Sequence, residues 1–151
     1  MAGPKRMPGP KRMPGPKRMP GPKRMPGMNI LLWVLQVLLA LHTLVGAVWK
    51  WSNSEQAVPA LKAIPHGVWL GMSVVELLCA VGLVLPAISE RAARVVPVAA
   101  ALIAAEMLIF CVVFLVSGAT TYGEIVYWLV VAAICGFVAY GRLVVKPSSG
   151  P

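Results

Sequence analysis

Four long apolar stretches dominate the chain, and short connections with polar residues, proline or glycine separate them. Each stretch has about 20 residues, the length with which a helix crosses the hydrocarbon core of a bilayer. The apolar residues are continuous rather than alternating, which favours helices over the strands of a membrane barrel. We therefore predict an all-α polytopic membrane protein, a four-transmembrane-helix bundle spanning about residues 30–49, 68–88, 95–116 and 122–140.

The second stretch has the clearest helical pattern. At 100° per residue, one arc holds only large apolar side chains: Leu70, Val74, Leu77, Val81, Val84, Leu85 and Ile88. The opposite arc holds Ser73, Glu76, Cys79 and Ala80, with Gly71 and Gly82 beside it. The large apolar arc suits lipid and the other suits packed helices, so we predict that Glu76 faces the inside of the bundle.

The polar residues within the spans are the candidate site. Glu76, Glu106 and His42 lie at a similar depth, roughly 10–15 Å from the same end of the predicted bundle, and Gln36 is a fourth candidate. A carboxylate there costs roughly 2.5–3.5 kcal/mol on insertion scales, so it normally faces protein or a water-filled cavity. Two interpretations stay open. In the first, the titratable groups share a proton or form a Glu76–His42 hydrogen bond, as proton-coupled or quinone chemistry requires. In the second, each residue is a hydrogen-bonded clasp between helices.

The residues at the ends of the spans are typical of a membrane interface. Trp49, Lys50 and Trp51 close the first span, which predicts an aromatic belt with a snorkelling cation. The same belt accounts for Trp33, Trp69, Tyr127 and Trp128. In the polar connection that follows, residues 55–64 are compatible with a short amphipathic helix on the surface.

The N-terminus is a perfect repeat, with Gly-Pro-Lys-Arg-Met-Pro four times in succession over residues 3–26. Such a sequence has no apolar surface to bury, so we predict a disordered basic arm over 1–27, a membrane domain over 28–146 and a tail over 147–151. The arm's cations are candidate contacts for anionic lipid headgroups: Lys5, Arg6, Lys11, Arg12, Lys17, Arg18, Lys23 and Arg24. The alternative is that the arm is dispensable and that translation starts at Met28.

Composition and charge narrow the function. The chain is 58% hydrophobic and 13% charged, against roughly 25% charged in soluble domains. Its net charge of +9 belongs to the arm, since the remainder has six basic and five acidic residues, and this argues against a nucleic-acid partner. Three cysteines without a Cys-x-x-Cys pair argue against a thiol–disulfide relay and against a zinc site.

The basic residues of the short connections predict the orientation. Arg91, Arg94, Arg142 and Lys146 fall on the side of the N-terminus, and Lys50 and Lys62 fall on the other. By the positive-inside rule, both termini are in the cytoplasm. We expect a multi-pass protein of the plasma membrane whose partners are the lipid bilayer and other membrane proteins or copies of itself.

Four short motifs resemble those of a known family. In order they are Val45-Gly46-Ala47-Val48-Trp49-Lys50-Trp51, Gly71-Met72-Ser73-Val74-Val75-Glu76-Leu77, Gly82-Leu83-Val84-Leu85-Pro86 and Phe137-Val138-Ala139-Tyr140-Gly141-Arg142. They resemble the DoxX-like family of small four-helix membrane proteins over residues 30–146. By this resemblance, the recurrent positions of the family are Gly46, Lys50, Gly71, Glu76, Gly82 and Arg142. Where relatives often have a histidine late in span three, this chain has Val113 and Phe114, with Glu106 a few residues earlier.

The resemblance implies an integral membrane protein that serves as a small accessory or subunit of a membrane assembly. Some relatives belong to quinone-linked oxidoreductases and others assist the assembly of membrane receptors, so a quinone is the implied cofactor class and a quinone-linked oxidoreductase subunit the implied enzyme class. Activity of the chain on its own is not favoured, because no metal cluster, nucleophile with a base, or phosphate loop is present in the sequence. The alternatives are a proton-coupled small-molecule carrier and an assembly factor without catalysis.

Overall fold

Four long helices make up the membrane domain in a computed structural model that describes Gly3 and residues 26–120 and 122–145. The helices are α1 (Pro26–Ser52), α2 (His66–Val84), α3 (Val95–Ser117) and α4 (Gly123–Tyr140). All four are long and apolar enough to cross a membrane, and the regular structure of these residues is entirely helical. The all-α fold with four membrane-spanning helices is therefore confirmed.

Each helix packs against its neighbours in the chain, α1 on α2, α2 on α3 and α3 on α4, and α4 makes a smaller contact with α1. Buried positions on α4 recur at alternating steps of three and four: Trp128, Val131, Cys135 and Val138. This spacing of 3.5 residues is the one with which helices of a bundle interlock their side chains. The large apolar residues between these positions face outward, where lipid replaces water as the solvent.

The two faces of α2 are those that its sequence pattern predicts. Ser73, Glu76, Cys79 and Ala80 are buried, and the seven residues of the apolar arc, from Leu70 to Ile88, are exposed on the outside of the bundle. The helix itself ends at Val84 and continues as a 3₁₀ turn over Leu85–Ala87, because Pro86 has no N–H for the helical ladder.

Two glycines of α2 have different surroundings. A Cβ at Gly82 would lie 3.1 Å from Cγ1 of Val95, so the absence of a side chain lets α2 and α3 approach closely. Gly71 instead lies on the exposed side with no atom within 4 Å of a Cβ. The prediction that both flank the packed face is thus right for Gly82 and wrong for Gly71.

The connection between α1 and α2 is not the surface helix that the sequence predicts. It forms two 3₁₀ turns, Glu55–Ala57 and Pro59–Leu61. Its apolar side chains Ala60, Leu61 and Ile64 are buried in the core, and the second turn packs on α3. Pro59 and Pro65 interrupt any longer helix here. The segment therefore packs into the core and covers this end of the bundle instead of lying on the surface as a helix. We call residues 53–65 the roof.

At the other end, α4 passes into one turn of π-helix, Gly141–Val145. The eight lipid-contact candidates of the basic arm lie outside the described residues, as do Lys146 and the tail over 147–151. The last two residues predicted for the disordered arm, Pro26 and Gly27, instead form the start of α1.

Candidate functional site: a buried lysine between two glutamates

A lysine and two glutamates from three helices meet inside the bundle. Nζ of Lys50, near the end of α1, lies 2.8 Å from Oε1 of Glu76 on α2 and 2.5 Å from Oε1 of Glu106 on α3. The three residues are 4–6% exposed. Glu76 lies ten residues into α2 and Glu106 eleven residues before the end of α3, so both are about 15 Å from the roof end of their helices. We call these three residues the triad.

The structure corrects the prediction that Lys50 snorkels to the membrane interface. In an α-helix, the Cα–Cβ bond tilts towards the N-terminus, and Lys50 lies in the last turn of α1. Its side chain therefore extends back into the bundle rather than out to the headgroups. Charge pairing then keeps it there, because a buried ammonium needs carboxylate partners to offset its lost hydration.

Aromatic rings complete the surroundings of the ammonium. Nζ of Lys50 lies 4.9 Å from the ring centre of Phe110 and 5.4 Å from that of Trp69, both within cation–π range. Phe110 in turn contacts Trp128. Trp69 and Trp128 are 1% and 6% exposed, so they belong to the core around the triad and not to the interface belt predicted for them. Trp49 and Trp51, by contrast, are exposed as predicted.

Hydrogen bonds fix α2 against the end of α1 above the triad. The indole N–H of Trp69 points at the carbonyl oxygens of Lys50 and Asn53, 3.2 and 2.9 Å away. The last carbonyls of a helix have no partner within it, so Trp69 serves as a cap for α1. One turn deeper, the hydroxyl of Ser73 donates to the carbonyl of Ala47 at 3.2 Å.

One oxygen of the triad has no partner. Oε2 of Glu76 is fully buried and accepts no hydrogen bond from any residue that the structure describes. The carboxylate lies against Gly46 of α1, where a Cβ would be 3.3 Å from Oε1 and 3.7 Å from Oε2. A glycine at this position therefore makes the room that the carboxylate occupies.

His42, which the sequence places with the two glutamates, is not part of the triad. Its Nε2 lies 2.8 Å from the hydroxyl of Tyr127 on α4, and the two rings meet edge to face. This pair bridges α1 and α4 at the outside of the bundle, since Tyr127 is exposed and His42 is half-buried. The predicted Glu76–His42 hydrogen bond is therefore not formed, because Lys50 takes the place of the histidine.

Gln36 is also separate from the triad and belongs to a second polar group near the π-helical end. Its amide N–H donates to the carbonyl of Leu83 at the end of α2, and its Oε1 accepts from Nε of Arg142 at 3.0 Å. The Arg142 guanidinium also lies over the ring of Trp33, 5.2 Å from its centre. Gln36 thus links α1 to both α2 and the end of α4.

The roof has a hydrogen-bonded pair of its own at the edge of the second span. Nδ1 of His66, at the start of α2, lies 2.9 Å from Oε2 of Glu55. The hydrogen bond from His66 lowers the pKa of the Glu55 carboxyl below its ordinary value of 4.5. This contact ties the first 3₁₀ turn of the roof to α2.

Sequence reasoning found both glutamates of the triad but assigned Lys50 to the interface. A signal for it was present in the spacing, because Gln36, Thr43 and Lys50 follow one another at intervals of seven and all three are buried. An interval of seven keeps residues on one face of a bundled helix. Lys50 therefore continues the inward face of α1.

Comparison of the chain with protein-family models, with curated proteins and with solved structures finds no match.

Proposed function

We propose that the chain is a DoxX-like integral membrane protein that acts as a small accessory subunit of a larger membrane assembly. The observation that carries the proposal is the bridge that Lys50 makes between Glu76 and Glu106. In this bridge, the charged side chains of three spans pair with one another. A protein whose interior charges hold its own helices together is suited to support a partner rather than to bind a polar substrate in its core.

The other interior polar groups support the same interpretation. Gln36 and Ser73 each donate to a backbone carbonyl of a neighbouring helix. Interhelical hydrogen bonds of this kind contribute about 0.6–2 kcal/mol each in membranes. These side chains therefore act as clasps, which fix the bundle in one arrangement and present a constant outer surface.

The grooves on the surface of the bundle support the accessory function better than the alternative that the protein is a small-molecule carrier. Two open grooves on the outside of the bundle have apolar linings, one along α1 at Val45 and Val48 and one between α1 and α2 at Leu41 and Val81. No member of the triad lines either groove. A polar solute would find few partners there, whereas lipid chains or an apolar helix of another protein would fit.

The family assignment rests on residues that now have structural surroundings. Gly46, Lys50 and Glu76 lie together, and Gly82 marks the close approach of α2 and α3. Recurrent positions of a family are expected at such contacts. Exposed Gly71 has no such contact, and the quinone chemistry of some relatives enters the proposal only as the cofactor class to look for in the assembly.

We further propose that both termini lie in the cytoplasm and that the membrane is the plasma membrane. Because Lys50 is buried in the bundle, it no longer counts as a charge of the outer connections, and Lys62 remains there. Arg91 and Arg94 lie in the connection on the opposite side. The bias that sets orientation thus becomes larger than the sequence count gave.

The experiment is purification from native membranes in a mild detergent, followed by native electrophoresis and mass spectrometry of protein and extracted lipid. We expect the 16.1 kDa chain to migrate in a larger complex with another membrane protein at a fixed ratio, and a Glu124→Gln control to do the same. Glu76→Gln keeps the shape of the clasp but not its charge, and a loss of bound quinone in that variant alone would assign the redox role to the triad. Migration of the wild type as a monomer or as a complex of this chain alone would contradict the accessory function.

A further inference from the structure

The charges of the triad do not balance. Two carboxylates surround one ammonium, so the group carries one negative charge when all three residues are ionised. Lys50 is the one cation within ion-pair distance of either carboxylate among residues 26–120 and 122–145. An uncompensated charge inside a bundle is costly, because the low dielectric weakens its solvation without removing its repulsion from the other carboxylate.

The other titratable groups around the triad do not compensate this charge. His42 of α1 pairs with Tyr127 of α4, and neither contacts a carboxylate. Cys79 of α2 is buried as a free thiol, and a thiol brings no positive charge. On α3, Glu106 itself is the group that faces Lys50. The remaining neighbours of the ammonium are the rings of Trp69 and Phe110.

The surroundings of Glu76 indicate how the excess negative charge of the triad is neutralised. Its Oε1 lies 2.8 Å from Lys50, but its Oε2 is buried without a donor among the described side chains and backbone. A buried carboxylate oxygen with no protein donor carries a larger desolvation cost than the same oxygen in a neutral carboxyl group. On the side of α1, Gly46 has no side chain that could donate to it, and a Cβ there would lie 3.7 Å from Oε2.

We propose that the triad is a proton-binding site that holds one proton in the resting protein, shared between Glu76 and Glu106 across Lys50. The proton comes from a hydronium ion of the surrounding water: one O–H bond of hydronium breaks, an O–H bond forms on a carboxylate, and a water molecule is released. With it, the triad is neutral. The site belongs to the pair of carboxylates rather than to either one, because both contact the same ammonium. This inference does not depend on the accessory function, since a proton can be bound with or without a partner protein.

Infrared difference spectroscopy of the purified protein in lipid nanodiscs tests the proposal directly. A protonated carboxyl group absorbs apart from a carboxylate and shifts in D₂O, and ¹³C-glutamate labelling identifies the band as glutamate. At neutral pH we expect a band that corresponds to one protonated glutamate per chain in the wild type. Its absence from the wild type would overturn the proposal without recourse to any variant.

The number of charges left in the triad predicts the intensity of the band in each variant. Glu76→Gln and Glu106→Gln each leave one carboxylate with one ammonium, so the band disappears in both. Lys50→Met leaves two carboxylates and no cation, so the band doubles, and Lys50→Met combined with Glu76→Gln returns it to the wild-type intensity. The matched controls Glu55→Gln and Glu124→Gln change carboxyls outside the triad and keep the band.

Persistence of the band in either Gln variant of the triad would contradict the sharing of one proton. A band that is lost in a control variant would place the protonated group elsewhere and would likewise overturn the proposal. The variants Glu76→Gln and Glu106→Gln preserve side-chain shape, and the wild-type measurement decides the question even if Lys50→Met does not fold.

Discussion

Removal of the ammonium from the triad gives the sharpest test of how the bundle is held together. Lys50→Met replaces a buried cation with an uncharged side chain of similar length. Glu76 and Glu106 then lose the group between them, and the rings of Trp69 and Phe110 lose their cation–π contact. The variant tests the claim that the charges, and not the apolar contacts alone, fix α1, α2 and α3 relative to one another.

The magnitude follows from the two contacts and the burial. At 2.8 Å and an effective dielectric of 20, one pair has an attraction of about 332/(20 × 2.8), or about 6 kcal/mol. Desolvation costs several kcal/mol for each buried ion, so most of this attraction is offset in the intact triad. Once the cation is gone, the carboxyl group that was ionised loses its partner and must take up a proton to stay buried, which costs free energy at neutral pH. Removal of one partner of a buried pair typically lowers the free energy of unfolding by about 3–5 kcal/mol, and we expect a loss in this range.

Equilibrium unfolding in mixed micelles, with increasing SDS and detection by circular dichroism, measures this loss. Lys62→Met is the matched control, because Lys62 is exposed on the roof, and its effect should stay within about 0.5 kcal/mol. The triple variant Lys50→Met/Glu76→Gln/Glu106→Gln replaces all three titratable groups of the triad and should recover most of the stability. Unfolding of Lys50→Met at the wild-type midpoint, or a triple variant no more stable than the single one, would refute the reasoning.

Three further predictions concern other contacts. Gly82→Leu should lower the free energy of unfolding by about 1–3 kcal/mol, because the leucine side chain enters the close approach of α2 and α3. Gly71→Leu, on the open side of the same helix, should not have this effect. Equal effects of the two variants in the SDS titration would show that the approach is not tight. The hydrogen bond from His66 lowers the pKa of Glu55, so the contribution of the Glu55 carboxylate to stability is complete above pH 4.5 and is lost as the pH falls further. In thermal scans, Glu55→Gln should therefore reduce the loss of stability below pH 4.5. An unchanged pH profile would mean that the contact with His66 contributes nothing. Gln36→Leu leaves a buried carbonyl and a guanidinium N–H without their partner and should cost about 1–3 kcal/mol in the same unfolding assay, so a neutral effect would indicate that water replaces the amide.

The helices and their lipid-facing sides follow from the sequence because both depend on local pattern. A continuous apolar run of about 20 residues specifies a span whatever its neighbours are. The arc from Leu70 to Ile88 specifies the outward face of α2 because 100° per residue is a property of the helix alone. These features required no knowledge of which helices touch.

Prediction of the triad, in contrast, requires knowledge of which helices touch and which of their faces meet. Lys50 and Glu106 are 56 residues apart, and their contact depends on how far α1 and α3 are rotated about their axes. Sequence reasoning used the depth of each residue and placed His42 with the glutamates, but depth does not give the direction of a side chain around the helix. The direction of Lys50 was available from its interval of seven to Thr43 and Gln36. Its position beside Trp49 and Trp51 favoured the interface instead.

The cap that Trp69 places on α1 also bears on how the protein enters the membrane. During synthesis α1 and α2 leave the ribosome before α3, and the indole N–H of Trp69 joins their adjoining ends. This hairpin already contains Lys50 and Glu76, an oppositely charged pair that can enter the bilayer together as a neutral unit. Glu106 arrives later, on α3, when the ammonium that receives it is already in place. The order of the helices along the chain therefore lets the cation meet a carboxylate partner as it is inserted, and Glu106 then brings the second carboxyl group, with which the proton of the triad is shared.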